Sequence, residues 1–430
     1  MTQIRFTKAL YSFPRFSEQI TNRSSAGRWK VLFFLMILAL SFWFPTVSYP
    51  VAVKPSALPS LFGRRDGAMI IDPRGKVIFS HNADQKMIPA STLKILTALV
   101  ALHHLGPDYR FITEFYRDDS SNLKIKGYGD PLLLSEILAE IAEELCSSLR
   151  SDSDFIQNII LDDSYFTHPL TIPGVTSSSE PYDAPNGALC ANFNTVNFTR
   201  NRKGKYISAE PQTPLLPFVL TRIKTSRLNS GRIVFSNDGK DATLYVGHLL
   251  HFFLNKKGIR LTGGIKTGKV EKTDRLIYKY TSKYQMTQVI STLLENSNNF
   301  VANQILVTAG AKSYGFPGSL TKGVQVASAY AEQILGINDI TLVEGSGISR
   351  ENRVSPNHMI KILKAFGPYH NLMRKNGSTF YKTGTLSGIQ TRAGYIENPP
   401  GEIYRFVVFI NTPGKSIQKI MKYILEMTNQ

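Results

Sequence analysis

The chain has 430 residues, of which 42% are hydrophobic, and its 50 Lys and Arg against 32 Asp and Glu give a net charge of +18. This hydrophobic content is ample for globular folding, and the length favours two or three domains. The two cysteines, Cys146 and Cys190, exclude a disulfide framework but leave open either one disulfide or two buried thiols.

The amino end has the pattern of an export signal. Residues 1–30 carry six Lys or Arg and one acid, and the apolar run 31–44 follows Arg28 and Lys30. This run is short for a membrane span but suits the apolar core of a signal. We expect residues 1–48 to direct export to the periplasm or cell envelope, either as a cleaved signal or as a retained anchor.

The next elements are a linker, a hairpin and a helix. Residues 49–62 are punctuated by prolines, and the apolar runs 68–72 and 76–81 flank a Pro-Arg-Gly turn, which predicts a hairpin. Ser91 begins a predicted helix that ends at Leu105 before Gly106. This helix is apolar nearly all round, so we expect it to be buried at the centre of the fold.

Residues 118–278 differ from the rest of the chain in their pattern of hydrophobic and turn-forming residues. Short strand-like runs at 158–161, 232–235 and 243–246 are separated by Gly, Asn, Asp and Ser, and one acidic helix is predicted at about 131–149. We predict a mostly β inserted subdomain, or two, over 118–278. The remaining segments, 63–117 and 279–430, form a discontinuous domain with helices at 286–295, 300–309 and 323–335, then strands at 379–383, 391–396 and 403–411, and a last helix at 416–427.

Positive charge is concentrated in the predicted insertion. Residues 200–283 hold eighteen Lys or Arg and five acids, or +13. Such a surface attracts anions, so an anionic envelope surface is one interpretation and a merely solvated Lys-rich surface is the other. The export signal and the lack of aromatic residues interleaved with basic ones disfavour a nucleic-acid partner.

A lysine inside the predicted central helix indicates chemistry. Lys94 is the only Lys, Arg, Asp or Glu between Lys86 and Asp108. Burial of an ammonium lowers its pKa toward neutrality, and a neutral lysine is a base. Ser91 lies three residues earlier on the same helix face, so the pair fits a serine nucleophile activated by an adjacent base.

Two motifs downstream of Ser91 complete a pattern found in serine acyl-enzymes. Ser297-Asn298-Asn299 follows the helix at 286–295, and Lys382-Thr383-Gly384 ends the strand at 379–383. The expected roles are a proton relay by Ser297, a contact to a substrate amide by Asn299, binding of a substrate carboxylate by Lys382 and Thr383, and an oxyanion hole from the backbone N–H groups of Ser91 and Thr385.

These motifs occur a second time in the chain, so the order of the motifs and their predicted secondary structure are needed to identify the functional copies. We call the second copies decoy motifs. Ser121-Asn122-Leu123-Lys124 repeats the Ser-x-x-Lys spacing on a polar, strand-like segment, so we expect Lys124 to stay solvated. Lys266-Thr267-Gly268 repeats the last motif but precedes Ser297. The segment around it, residues 263–270, nearly matches a phosphate-binding loop, but Val270 stands where such a loop needs Ser or Thr. No His or Cys spacing fits a metal site, and no cofactor is expected.

The motifs together resemble the low-molecular-mass class C penicillin-binding proteins, which are D-alanyl-D-alanine carboxypeptidases and endopeptidases. The matching segments are Pro89–Lys94, Gly129–Pro131, Tyr182–Pro185, Ser297–Asn299, Gly345–Arg350 and Lys382–Gly388. The resemblance implies an α/β (α+β) transpeptidase or β-lactamase-like domain, with an antiparallel sheet flanked by helices and domains inserted between the first two motifs. It also implies Gly384 in the substrate site, peptidoglycan stem peptides as substrates and β-lactams as inhibitors.

Departures and alternatives accompany this resemblance. Glu344 stands in place of an expected aspartate, Asn303 in place of glutamate and Gly187 in place of serine, and none is a proposed catalytic residue. A serine β-lactamase shares the motifs, but no base for rapid deacylation is evident and the insertion is long. A non-catalytic cell-wall-binding protein would be expected to lack Ser91 or Lys94. The balance between carboxypeptidase and endopeptidase action stays open.

Overall fold

The computed structural model describes residues 58–150, 155–399 and 401–428. The predicted export segment, 1–48, lies outside them. Within these ranges no helix is long and apolar enough to cross a bilayer. The α-helices of the described chain are α1 (Lys94–His104), α2 (Ser135–Arg150), α3 (Pro217–Ser226), α4 (Gly239–Lys256), α5 (Met286–Asn296), α6 (Asn299–Tyr314), α7 (Leu320–Gln333), α8 (Pro356–Phe366) and α9 (Ile417–Thr428).

The strands of the same ranges build four sheets. They are β1 (Gly67–Ile71), β2 (Val77–His81), β3 (Ile112–Arg117), β4 (Leu123–Gly127), β5 (Phe155–Ile156), β6 (Ile159–Asp162), β7 (Thr195–Arg200), β8 (Tyr206–Ser208), β9 (Ser230–Val234), β10 (Arg260–Leu261), β11 (Ile265–Thr267), β12 (Arg275–Thr281), β13 (Arg374–Asn376), β14 (Thr379–Leu386), β15 (Ile389–Glu397) and β16 (Ile403–Ile410).

The largest sheet joins the two ends of the described chain. Its order is β13-β14-β15-β16-β1-β2, and every neighbouring pair is antiparallel. The predicted hairpin is confirmed as β1 and β2, with Gly75 in the left-handed conformation that its turn requires. β1 pairs with β2 on one side and with β16 on the other, so the sheet needs residues from both ends of the described chain.

Helices cover this sheet on both faces, and the predicted mixed α/β fold with an antiparallel sheet is confirmed. On one face α9 buries Ile417, Ile420 and Ile424 in a core with Phe406 and Val408 of β16. Their spacing of three and four residues puts them on one side of the helix. α8 contacts β1, β15 and β16.

The central helix is buried as predicted. α1 contacts α5, α6, α7 and α8, and all residues from Lys94 to Leu102 are buried. This packing leaves Lys94, at the start of the helix, with no exposed surface.

Between β2 and α5 the chain forms sheets of its own. A five-stranded mixed sheet has the order β11-β6-β4-β3-β12, and a three-stranded antiparallel sheet has the order β8-β7-β9. β3 begins at Ile112 and β12 ends at Thr281, so the five-stranded sheet extends beyond 118–278 at both ends. The division into domains at these residues stays a prediction.

One predicted strand of this region is a helix. Residues 243–246 belong to α4, which begins after Asp238, whose side chain accepts a hydrogen bond from the backbone N–H of Lys240. Buried side chains recur at helical spacing through Ala242, Val246 and Leu249. The prediction was wrong because a window of four branched and aromatic residues does not separate the two periodicities. α2, α3 and α4 thus accompany the strands.

Candidate active site

Ser91 lies in a tight turn that leads into α1. Residues Ala90–Leu93 form a 3-10 helix, and the α-helix proper begins at Lys94. Side chains three residues apart eclipse each other on a 3-10 helix, which sets Ser91 directly beside Lys94. Ala90 has a positive φ of 47°, an uncommon conformation for a residue with a Cβ that is often found at functional sites.

The ammonium group of Lys94 is fully enclosed. The residue is 0% exposed, and its Nζ lies 2.9 Å from Ser91 Oγ, 2.7 Å from Asn299 Oδ1 and 2.6 Å from the Ser346 carbonyl oxygen. Burial lowers the pKa of Lys94 to about 7, against the opposing effect of the Glu344 charge. Near neutral pH a substantial fraction of this lysine is therefore uncharged.

The three contacts match the needs of a neutral amine. Two N–H bonds point to the fixed carbonyl oxygens of Asn299 and Ser346, which leaves the lone pair facing the Ser91 hydroxyl. A neutral Lys94 can thus accept the Ser91 proton without rearrangement.

A second serine–lysine pair lies on the neighbouring elements. Ser297 ends α5 in the left-handed conformation, and the Lys382 ammonium donates to Ser297 Oγ at 2.7 Å and to the Thr383 carbonyl at 2.7 Å. Lys382 is 2% exposed, and burial followed by the nearby Lys94 charge holds its pKa well below the usual value. Asn298 caps α6 through its bond to the Val301 N–H, which fixes Asn299 in the first turn.

Gly384 brings β14 against the turn that carries Ser91. A Cβ at this position would lie 2.7 Å from the Ser91 nitrogen and 2.9 Å from the Ala90 Cβ, so only glycine fits. Thr383 and Thr385 flank it with exposed side chains. The Ser91 and Thr385 backbones therefore lie on adjoining segments, as an oxyanion hole requires.

The predicted site residues are thus gathered in one place, while the decoys are not. Lys124, expected to stay solvated, is buried, and this expectation was wrong. Its Nζ lies 2.8 Å from Asp274 and 3.6 Å from Asp118. Burial alone would lower the pKa of Lys124, but the two carboxylates outweigh it and raise that pKa. Lys124 therefore stays cationic and is no base.

Two residues behind the base, Glu344 and Asn303, were noted in the sequence only as departures from the family pattern, and their role was missed. Glu344 is 1% exposed and accepts hydrogen bonds from the loop that provides the Ser346 carbonyl. Asn303 of α6 donates to it at 3.2 Å. The available signal was an isolated acid directly before a Gly-Ser-Gly turn, whose flexible backbone can turn several N–H groups toward one carboxylate.

A buried lysine beside a serine, with a second lysine–serine pair and a glycine-lined strand next to them, defines a serine enzyme of the acyl-transfer class. The chain matches the D-Ala-D-Ala carboxypeptidase 3 (S13) family over residues 55–231 and 230–374 and belongs to that family. The resemblance to low-molecular-mass class C penicillin-binding proteins is confirmed, and the chain is a serine-type D-Ala-D-Ala carboxypeptidase.

Known proteins are similar over most of the chain. A D-alanyl-D-alanine carboxypeptidase of Actinomadura sp. (strain R39) is 24% identical, over 80% of this chain and 77% of that one. A penicillin-sensitive carboxypeptidase A of Dictyostelium discoideum is 23% identical, over 79% of this chain and 81% of that one. The crystal structure of penicillin binding protein 4 from Haemophilus influenzae has a TM-score of 0.70 at 18% identity, covering 88% of this chain and 100% of that one.

Proposed function

We propose that the chain removes the terminal D-alanine from peptidoglycan stem peptides through an acyl-enzyme on Ser91, with Lys94 as the general base. The observation that carries this proposal is the 2.9 Å contact between Lys94 Nζ and Ser91 Oγ inside a site where burial lowers the pKa of Lys94 to about 7. Such a pair joins a weak nucleophile to a base matched to neutral pH.

In the acylation step, Lys94 takes the Ser91 proton as Oγ attacks the carbonyl carbon of the penultimate D-alanine. The resulting oxyanion is stabilised by the backbone N–H groups of Ser91 and Thr385. Collapse breaks the peptide bond: Ser297 gives its hydroxyl proton to the leaving amine and receives in turn the proton that Lys94 took from Ser91, so Lys94 is neutral again. Water then hydrolyses the ester, with Lys94 as base again, and the stem peptide leaves one residue shorter.

Substrate contacts follow from the same geometry. The Asn299 carbonyl oxygen is engaged by Lys94, so its amide N–H group is the part that contacts a substrate carbonyl. Lys382 and Thr383 bind the terminal carboxylate beside Gly384. A peptide that ends in a free D-alanine carboxylate fits this arrangement, and a crosslinked peptide is the substrate of an additional endopeptidase activity.

β-Lactams are proposed as inhibitors that acylate Ser91. A relative is called penicillin-sensitive, and in this proposal the ring carbonyl takes the place of the scissile peptide carbonyl. The opened ring keeps its amine tethered, which hinders the approach of water to the ester. We therefore expect a long-lived adduct rather than the rapid turnover of a β-lactamase.

The insertion over 118–278 is proposed to serve attachment rather than chemistry. Its basic part exposes Arg202, Lys203 and Lys205 on the β7–β8 turn, Lys266 in β11 and Lys269 just after that strand. An exported enzyme in the periplasm or cell envelope meets anionic polymers and lipids, which such a surface attracts.

The test combines mass spectrometry with product analysis. Wild type incubated with penicillin should gain one adduct that maps to Ser91, persists for many minutes, and is absent in Ser91→Ala. Ser121→Ala, at the decoy motif, is the matched control and should label normally. Wild type should also release D-alanine from a peptide ending in D-Ala-D-Ala. An adduct that clears within seconds, without D-alanine release, would make the protein a β-lactamase instead.

A further inference from the structure

The carboxylate of Glu344 is the centre of a hydrogen-bond cluster behind the base. It lies on the loop between α7 and α8, and it forms no ion pair with any residue that the structure describes. Its oxygens accept bonds from the backbone N–H groups of Ser346 (2.6 Å), Gly347 (2.7 Å) and Ser349 (3.4 Å), from the Ser346 hydroxyl (2.6 Å), and from the side-chain amides of Asn303 (3.2 Å) and Asn352 (2.7 Å). Because all these partners are donors, the cluster requires an ionised acceptor.

This cluster determines the direction of the loop carbonyls. With its N–H groups turned toward Glu344, the loop presents its carbonyl oxygens to α1. The Ser346 carbonyl accepts from Lys94 Nζ at 2.6 Å, and the Gly345 carbonyl accepts from the Thr97 hydroxyl at 2.6 Å. Lys94 and Thr97 are three residues apart on one face of α1, so the loop is docked along that face.

The same loop lies against the turn that carries the nucleophile. A Cβ on Gly347 would lie 1.9 Å from the Ala90 carbonyl oxygen, and Gly347 has a φ of +81°. Only glycine permits this approach. The loop held by Glu344 therefore contacts both the base and the residue before Ser91.

The charge of Glu344 also acts on Lys94, in addition to its effect on the position of the loop. Glu344 is the charge of the described chain that acts on the pKa of Lys94, and the Lys94 charge in turn lowers the pKa of Lys382. The negative charge of Glu344 raises the pKa of Lys94, while burial lowers it. A buried ammonium needs such compensation, because water cannot provide it.

We propose that Glu344 is a positioning residue that holds the carbonyl acceptor of Lys94 in place and provides the negative charge that stabilises the ammonium formed when Lys94 takes the Ser91 proton. This inference rests on the proposed function. Glu344 touches neither substrate nor the reacting atoms and acts through Lys94.

The experiment measures acylation of the full chain by a fluorescent penicillin between pH 5 and pH 9. Glu344→Gln removes the charge, so the fall in rate toward acid should move to lower pH by about one unit, with a severalfold lower plateau. Glu344→Asp keeps the charge and should keep the wild-type position of this acid limb. The matched control is Asn303→Leu, which disturbs the loop but leaves the charge, so its rate should fall without a shift of the limb.

Two results would overturn the inference: an acid limb of Glu344→Gln that coincides with that of wild type, or an equal shift in Asn303→Leu. If Glu344→Gln does not fold, Glu344→Asp decides the matter, because it keeps the charge but shortens the reach to the loop N–H groups, so the rate should fall while the limb stays in place. A shifted limb or an unchanged rate in that variant overturns the inference. A wild-type chain that forms no penicilloyl ester overturns the proposed function as well, so the two failures are distinguishable.

Discussion

Lys382 Nζ lies 2.7 Å from Ser297 Oγ, while Lys94 Nζ lies 2.9 Å from Ser91 Oγ, so the site contains two serine–lysine pairs. They are linked through the start of α6, because Ser297 is two residues from Asn299, which holds Lys94. The Lys94 charge lowers the pKa of Lys382, and two buried ammonium groups repel each other. A proton that Lys94 acquires from Ser91 is therefore favoured to move on to the leaving group.

Replacement of the base should separate charge from basicity. Lys94→Arg keeps a cation but cannot offer a neutral lone pair, so acylation by penicillin should fall by roughly 10²–10⁴-fold. Lys124→Arg is the matched control, since Lys124 is buried but paired with Asp274. Stopped-flow acylation rates and thermal unfolding should be measured for both. Near-normal acylation in Lys94→Arg would assign the base to another group.

The pH dependence follows from the direction of the Lys94 shift. Burial lowers its pKa from 10.5 to about 7, and acylation requires the uncharged form. The acylation rate should therefore level off above about pH 7 and fall about tenfold for each pH unit below it. A penicillin acylation profile checks this. A rate that still rises steeply above pH 9 would show that Lys94 stays protonated in the folded enzyme.

A methyl group at Gly384 should damage catalysis as well as packing, because the added Cβ would also press on the buried Thr391 hydroxyl. The added Cβ would lie 2.7 Å from the Ser91 nitrogen and would displace it as an oxyanion donor. The loss of one such donor costs roughly 10²–10³-fold in rate. Gly264→Ala is the control, because no atom lies within 4 Å of the position that its Cβ would take. Turnover of a D-Ala-D-Ala peptide by Gly384→Ala at the wild-type rate would contradict the proposed oxyanion hole.

The basic surface should respond to salt while the chemistry does not. Binding to poly(glycerol phosphate) should weaken as salt rises from low to physiological concentrations, since exposed charges are screened over about 8–10 Å there. Reversal of Arg202, Lys203 and Lys205 to Glu should weaken binding further, with Lys266, Lys269 and Lys272 as a second set. Hydrolysis of a small dipeptide should be unaffected. Equal salt dependence of both would place the charge at the active site.

The nucleophile and its base could be predicted because their relationship is local. Three residues of spacing and an apolar helix are enough to set Ser91 beside a desolvated Lys94. Their union with Ser297 and Lys382 followed from motif order and from the end of α5, although Lys382-Thr383-Gly384 lies within β14 rather than at the end of a strand, since β14 continues to Leu386. The hydrogen-bond cluster around Glu344 could not be predicted in this way, because it depends on the direction in which the loop between α7 and α8 turns its backbone N–H groups.

Lys124 is a second case in which a contact distant in sequence could not be predicted. Its segment is polar in sequence, yet Asp274, 150 residues away, meets it in the fold and makes burial tolerable. The local sequence shows that a strand is polar, but it does not show which distant carboxylate pairs with a lysine on that strand. α4 was missed for a related reason, since its apolar periodicity is visible only over several turns.

The pairing of β1 with β16 has a consequence for the order in which the protein becomes functional. Gly67 is aligned with Phe409, and the Asp66 carboxylate accepts from the backbone N–H groups of Asn411 and Thr412. Contacts so far apart in sequence form late and slowly. During synthesis the hairpin β1–β2 must wait for β16, and β14, with Lys382 and Gly384, emerges just before it. A nascent chain, or one shortened before β14, therefore carries the nucleophile without the strand that completes its site.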